Sequence, residues 1–153
     1  MARASYFSLT LILLIIDRLT KWWVDSSLDF GVPNDLIGNI IRLTRVHNEG
    51  GAFGIFPGGG VVFLVVSSIV SLILFLILLT MQIDSRLIKT GMAFVLAGAL
   101  GNLVDRIQWG YVLDFFEFRG FPIFNVADAC ITVGAVFIIL SILFGGERHR
   151  SER

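Results

Sequence analysis

The sequence predicts an all-α membrane protein, with four transmembrane helices and a small extracytoplasmic β region. Three observations predict it. Hydrophobic residues make up 56% of the 153-residue chain, and mean hydropathy is +0.84, whereas soluble domains hold roughly 45–50% apolar residues. Four long apolar segments stand out along the chain. Alternating, strand-like residues fall only in two of the connections between them.

The first segment covers about 5–24, although the charge-free part stops at Ile16. Arg3, an apolar run and the small residues Ser26 and Ser27 give it the outline of a cleaved signal peptide. The run leads, however, into Asp17-Arg18-Leu19-Thr20-Lys21, which a signal-peptide apolar core would not, so it reads as a retained helix. Trp22 and Trp23 suit the aromatic belt at a membrane interface. The second segment, 61–83, runs 23 residues without a charge and alone meets the requirement of about 20 apolar residues for a span. The third, about 90–106, has 15 uncharged residues, 90–104. The fourth, about 122–144, carries Asp128 as its only charge. Three of the four reach spanning length only if their polar ends lie in the membrane.

The outer connections are expected at about 25–60 and 107–121. Ile41-Arg42-Leu43-Thr44-Arg45-Val46 alternates as a strand does, and Tyr111 to Phe118 is aromatic and strand-like, with Arg119-Gly120 offering a turn. Between the first strand signal and the second helix, glycines from Gly50 to Gly60 permit tight turns and close backbone approach. Lys and Arg count six on each side of the membrane, which leaves orientation open. If Arg18, Lys21 and Arg106 are buried partners of acids, the count becomes six to three and places both termini in the cytoplasm.

Composition removes several function classes. Net charge is zero, so nothing points to nucleic acid. The single cysteine, Cys130, allows no intrachain disulfide, and with His47 and His149 far apart no metal site is expected. No cofactor is implied.

Four carboxylates carry the functional signal: Asp17, Asp105, Asp114 and Asp128, all inside or at the ends of apolar segments. A charge at the centre of a bilayer costs at least ~2.5–3.5 kcal/mol, so such acids mark functional sites by default. Asp17 and Lys21 stand at i,i+4 in the favourable order and read as a structural ion pair. The pattern Asn-x-x-Asp occurs twice, as Asn102 to Asp105, followed by Arg106, and as Asn125 to Asp128. On a helix each would set an amide beside a carboxylate. One such pair reads as polar glue between helices; two beside Asp114 read as a site. Two carboxylates in one desolvated place cannot both ionise, so Asp114 with Asp128 would hold one proton between them and could activate water against an amide. No other nucleophile competes: Cys130 has no neighbouring histidine, and Ser67 and Ser68 lie mid-helix without a base. Ala93, Ala97 and Gly101, four residues apart, read as a helix-packing face and less readily as a groove for a substrate helix.

These residues, in this order, resemble the lipoprotein signal peptidases, the type II signal peptidases of bacteria. The matching blocks are Asp17-x-x-x-Lys21, Asn48-x-Gly50-x-Ala52-Phe53-Gly54, Gly98 through Arg106, Val112-Leu113-Asp114-Phe115 and Phe124 through Ala129, followed by Thr132-Val133-Gly134. The resemblance implies a single integral membrane peptidase domain over 1–153, with both termini cytoplasmic in the bacterial inner membrane. It implies an aspartic dyad at Asp114 and Asp128. It marks Asn48, Gly50, Asn102, Asp105, Arg106 and Asn125 as positions that support the site or meet the substrate. The implied substrate is a diacylglyceryl prolipoprotein cut just before its lipidated cysteine, the implied inhibitors are of the globomycin type, and one chain, a monomer in membrane lipid, supplies the site. A small proton-coupled transporter is the alternative, since intramembrane acids also form proton relays; a non-catalytic assembly factor would use the same polar residues only as glue.

Overall fold

The computed structural model describes residues 3–38, 40–50 and 59–145. The elements follow in the order α1 (Arg3–Ser27), β1 (Asn34–Ile37), β2 (Ile41–Asn48), α2 (Gly60–Thr80), α3 (Arg86–Trp109), β3 (Val112–Phe118) and α4 (Val126–Gly145). The protein is therefore mostly helical with one small sheet. Among the described residues three helices, α2, α3 and α4, are long and apolar enough to cross a membrane. α1 is longer still, at 25 residues, but Asp17, Arg18 and Lys21 interrupt its apolar run. The outward side chains of α2, among them Val61, Val65, Ile69, Leu72 and Ile73, are exposed, a surface that suits lipid and not water.

Helix boundaries depart from the expected ones for local reasons. α2 stops at Thr80, where Met81 turns extended. α3 starts earlier, because Ser85 caps it: its hydroxyl accepts the Ile88 N–H at 3.2 Å. It also runs further, to Trp109, where Gly110 takes the left-handed conformation (φ 79°) and donates its N–H to the Arg106 carbonyl. α4 begins at Val126 and not near Pro122. Phe124 is engaged in strand-like bonds, its N–H donating to the Phe116 carbonyl at 3.1 Å and its carbonyl accepting from Phe115 and Phe116.

α3 packs against each of the other three helices. Its buried face is built from small residues, Gly91, Ala93, Ala97, Gly98, Ala99 and Gly101 among them. A Cβ at Gly98 would sit 2.2 Å from the Ala127 carbonyl oxygen, and one at Gly101 would sit 2.6 Å from Asp17 Oδ2. The small-residue face is thus filled by the protein's own helices. Thr10 ties α1 to the same helix by donating to the Ala93 carbonyl at 3.1 Å.

The three strands form an antiparallel sheet in the order β1-β2-β3. β2 and β3 lie where the alternation predicts strands; β1 carries no such signal, since Asn34-Asp35-Leu36-Ile37 is too short to show a period. The sheet sits against one end of the helices through Val24, Leu43, Leu113 and Phe115, with Leu28, Phe116 and Val126 packed around them. This contact places β3 beside the first turn of α4. Residues 51–58 and 146–153, which hold the second half of the glycine-rich motif and the polar tail, lie outside the described residues.

Candidate active site

The last turns of α3, the start of α4 and the middle of β3 converge on Asp114 and Asp128. β3 supplies Asp114, 1% exposed. α4 supplies Asp128 from its first turn, where it remains partly exposed. The second Asn-x-x-Asp therefore does not lie within a helix, as the spacing suggests, but spans its cap. Asn125 Oδ1 accepts the Asp128 N–H at 2.9 Å, and Asp128 Oδ2 accepts the Asn125 N–H at 3.3 Å. This is a reciprocal capping box, which satisfies two donors that helix geometry leaves free.

The capping residue reaches further. Asn125, fully buried, donates from Nδ2 to Asp114 Oδ1 at 2.6 Å and lies 3.1 Å from Asn102 Oδ1. Asn48 donates from Nδ2 to Asp114 Oδ2 at 2.9 Å. Sheet register explains that contact: Val46 faces Asp114 across the ladder, and Asn48, two residues on, projects from the same face. Asn48 Oδ1 in turn accepts the Gly50 N–H at 3.0 Å. Asn102 donates from Nδ2 to Asp128 Oδ1 at 2.8 Å. Each carboxyl group thus meets two N–H donors, one per oxygen. Burial and then the charge of Asp128 push the Asp114 carboxyl up to about 7, against the pull of the Asn48 and Asn125 amides. Both causes favour the protonated form of Asp114.

Beneath the pair lies a cluster of four charges. Lys21, with no exposed surface, lies 3.0 Å from Asp17 Oδ2 and 2.7 Å from Asp105 Oδ2, and donates to Asn102 Oδ1 at 3.1 Å. That contact fixes which end of the Asn102 amide faces Asp128. Arg18 donates to Asp105 Oδ1 at 2.5 Å and stacks its guanidinium over the Trp109 ring. The two acids also grip the backbone next to the pair. Asp17 Oδ1 accepts the N–H of Ala127 at 3.0 Å, the residue before Asp128. Asp105 Oδ2 accepts the N–H of Leu113 at 3.2 Å, the residue before Asp114. The 8-residue and 110-residue separations of these contacts explain why no short motif displays them. The sequence marks Arg18 only as a possible partner for an acid, and its adjacency to Asp17 is the signal for it.

Arg106 stands to one side of the pair. Its guanidinium donates to the Asn102 carbonyl at 3.5 Å and the Gly50 carbonyl at 3.3 Å, lies over the Phe63 ring, and feels the charges of Asp128 and Asp114. It lines a groove of about 330 Å³ together with Glu49, Val61, Leu64, Trp109 and Tyr111. The ten residues expected at the site or behind it therefore lie at one end of the helices: Asn48, Gly50, Asn102, Asp105, Arg106, Asp114, Asn125 and Asp128 in direct or one-step contact, with Asp17 and Lys21 behind them. Among the described residues no histidine, cysteine, aspartate and glutamate side chains gather in a group able to hold a metal ion. Cys130 is buried and free, and the Ser67 and Ser68 hydroxyls are spent on carbonyls one turn back.

Comparison with known proteins gives a consistent family. The profile described as signal peptidase (SPase) II matches residues 9–144. A lipoprotein signal peptidase of Caldicellulosiruptor bescii is 40% identical over 148 residues, covering 93% of each chain. That of Moorella thermoacetica is 36% identical over 146 residues, 95% of this chain and 97% of its own. A solved bacterial membrane enzyme superposes with a TM-score of 0.87 at 26% identity, covering 98% of this chain and 92% of that one. A second, also a bacterial membrane enzyme, superposes at 0.82 with 28% identity, covering 92% and 94%.

Proposed function

This chain belongs to the signal peptidase (SPase) II family, and on that premise we propose that it is an aspartic endopeptidase that frees diacylglyceryl-modified prolipoproteins of their signal peptides, with Asp114 and Asp128 as the catalytic pair. The observation that carries the proposal is the pairing itself: two carboxyl groups from different elements, each held by two N–H donors, with one buried and the other partly exposed.

The chemistry follows from one shared proton. The ionised carboxylate removes a proton from water as the water oxygen bonds to the scissile carbonyl carbon. The neutral carboxyl passes its proton to the carbonyl oxygen, so no free oxyanion builds up. The tetrahedral diol then collapses. The C–N bond breaks, the amine takes the proton that the first aspartate gained, and a diol hydroxyl returns a proton to the second. The pair ends as it began. Asn48, Asn102 and Asn125 hold the carboxyl groups in place at no cost of reorganisation during the step. Arg106 and Gly50, at the edge of the groove, fit a role in holding the peptide. The cut falls before the lipidated cysteine, whose amine becomes the new N-terminus.

The membrane setting supports the same reading. The substrate is tethered by its acyl chains and arrives by diffusion in the bilayer plane, while water arrives from outside. Both reach a site at the end of the helices, whereas a proton relay would place its acids at mid-depth. With α1 as a fourth span of 25 residues, both termini lie in the cytoplasm, the sheet lies outside the inner membrane, and one domain acting as a monomer supplies the whole site. Globomycin-type inhibitors would compete for the groove. The deciding experiment replaces Asp114 or Asp128 by Asn in folded, membrane-extracted protein and follows cleavage of a lipidated and an unlipidated prolipoprotein. Cleavage should vanish in both variants and should require the lipid in the parent. Near-normal cleavage by either variant refutes the assignment.

A further inference from the structure

At the end of the helices opposite the carboxylates lies a cavity of about 250 Å³, walled by Arg3, Tyr6, Leu78, Met81, Asp84 and Lys89 among others. We propose that this cavity binds the phosphate headgroup of a bilayer phospholipid. Three observations converge on it. Arg3 and Lys89 bring two cations against one acid, Asp84, and among the described residues neither cation forms an ion pair. Arg3 donates to the Thr80 carbonyl at 3.4 Å, and the Lys89 ammonium sits 5.5 Å from the Tyr6 ring centroid. Tyr6 is 2% exposed, and its buried hydroxyl has no hydrogen-bond partner among the described residues. A buried hydroxyl left unsatisfied in this way is rare and calls for a partner.

The neighbourhood selects the occupant. The wall combines charged ends from α1 and α3 with Leu78 at the end of α2 and Met81 just beyond it, so a polar head and an apolar tail meet the same surface. The N-terminus of α3, capped by Ser85, adds the positive end of a 24-residue helix. Helix ends of this kind stand at the level of headgroups in a bilayer. A phosphate would sit between Arg3 and Lys89 and accept from the Tyr6 hydroxyl, while Asp84 would favour a headgroup that also carries a donor, such as ethanolamine or glycerol. The acyl chains would run along the exposed side of α2.

The test uses the full chain in maltoside detergent, titrated with phosphatidylglycerol or with glycerol phosphate and read by native mass spectrometry. Phosphatidylglycerol should bind saturably. The double variant Arg3→Gln, Lys89→Gln should bind it roughly 30-fold more weakly, the loss expected for two cations at a headgroup, and Tyr6→Phe, which removes only the hydroxyl, roughly threefold more weakly. Prolipoprotein cleavage in detergent serves as the control for folding, because none of these residues touches the carboxylate pair. Equal lipid binding by the parent and the double variant overturns the proposal. So does full displacement of the lipid by glycerol phosphate, which would assign the cavity to a soluble phosphate.

Discussion

Lys21→Met separates the charge cluster from the rest of the fold. Lys21 has no exposed surface and neutralises two buried carboxylates at 3.0 and 2.7 Å. Met keeps most of the volume and removes the charge. Asp105 then retains Arg18 and the Leu113 N–H, but Asp17 keeps only the Ala127 N–H. Removing one partner of a buried ion pair costs about 3–5 kcal/mol, because the other charge stays behind. For a chain of this size each kcal/mol moves the melting temperature by roughly 2–4 °C, so Lys21→Met should melt roughly 6–20 °C below the parent. The second half of the experiment is Lys21→Met with Asp17→Asn. The amide oxygen can still accept from Ala127, and the stranded charge is gone, so the double variant should recover about half of the loss. Thermal melting in one detergent at pH 7, followed by intrinsic tryptophan fluorescence, reads both. A single variant within ~2 °C of the parent, or a double variant that melts lower than the single, refutes the reasoning.

Three further outcomes follow from the same geometry. The raised Asp114 pKa predicts that stability falls as pH rises from about 4 to about 7, since across that window the folded state keeps a proton that the unfolded chain has lost; melting curves against pH should show this slope in the parent and not in Asp114→Asn, and cleavage should decline above about 7 as the shared proton leaves. Asn125 can be split into its two roles: Asn125→Ala should cost about 1–2 kcal/mol of stability through the lost cap, while Asn125→Ser, which keeps a cap oxygen but cannot reach Asp114, should melt near the parent and still cut slowly, with kcat reduced more than KM. Gly98→Ala places a methyl group 2.2 Å from the Ala127 carbonyl oxygen; the forced separation of α3 and α4 should cost about 1–3 kcal/mol and lower cleavage as well, because Asn102 and Asp128 move apart with the helices.

Much of this architecture is legible in the chain itself because it rests on short-range pattern. Long apolar runs give the helices, alternation gives β2 and β3, and the intervals Asp17 to Lys21 and Asn102 to Arg106 are fixed by helical geometry. What escapes is what depends on cross-chain geometry. Phe124 looks like the start of a helix because it is apolar, yet its backbone is claimed by β3, and this shifts the start of α4 to Val126. That shift changes the meaning of Asn125, from a residue on a helix face to a cap that also serves Asp114. β1 is only four residues long and owes its form to β2. The grip of Asp17 on Ala127 and of Asp105 on Leu113 joins residues whose sequence separations carry no period, so no local rule could have exposed it.

The charge cluster and the carboxylate pair form one device. Asp17 and Asp105 accept the backbone N–H groups one residue before Asp128 and Asp114 respectively, and Lys21 lies between them. Moving Lys21 would therefore displace both aspartates together and turn the Asn102 amide that faces Asp128. On the proposed mechanism, a desolvated pair that shares one proton would be sensitive to small changes in separation, because the repulsion that raises one pKa depends steeply on distance in a medium of low dielectric. Loops alone would let that distance drift. Anchoring the strand and the helix cap to a common buried ammonium makes the separation a property of the helix bundle, which accounts for three buried charges, Asp17, Lys21 and Asp105, and the half-buried Arg18 beside them. Under the proposed function, the destabilisation of those charges is the cost of a fixed proton-sharing distance, which a site working at the edge of a moving bilayer would need.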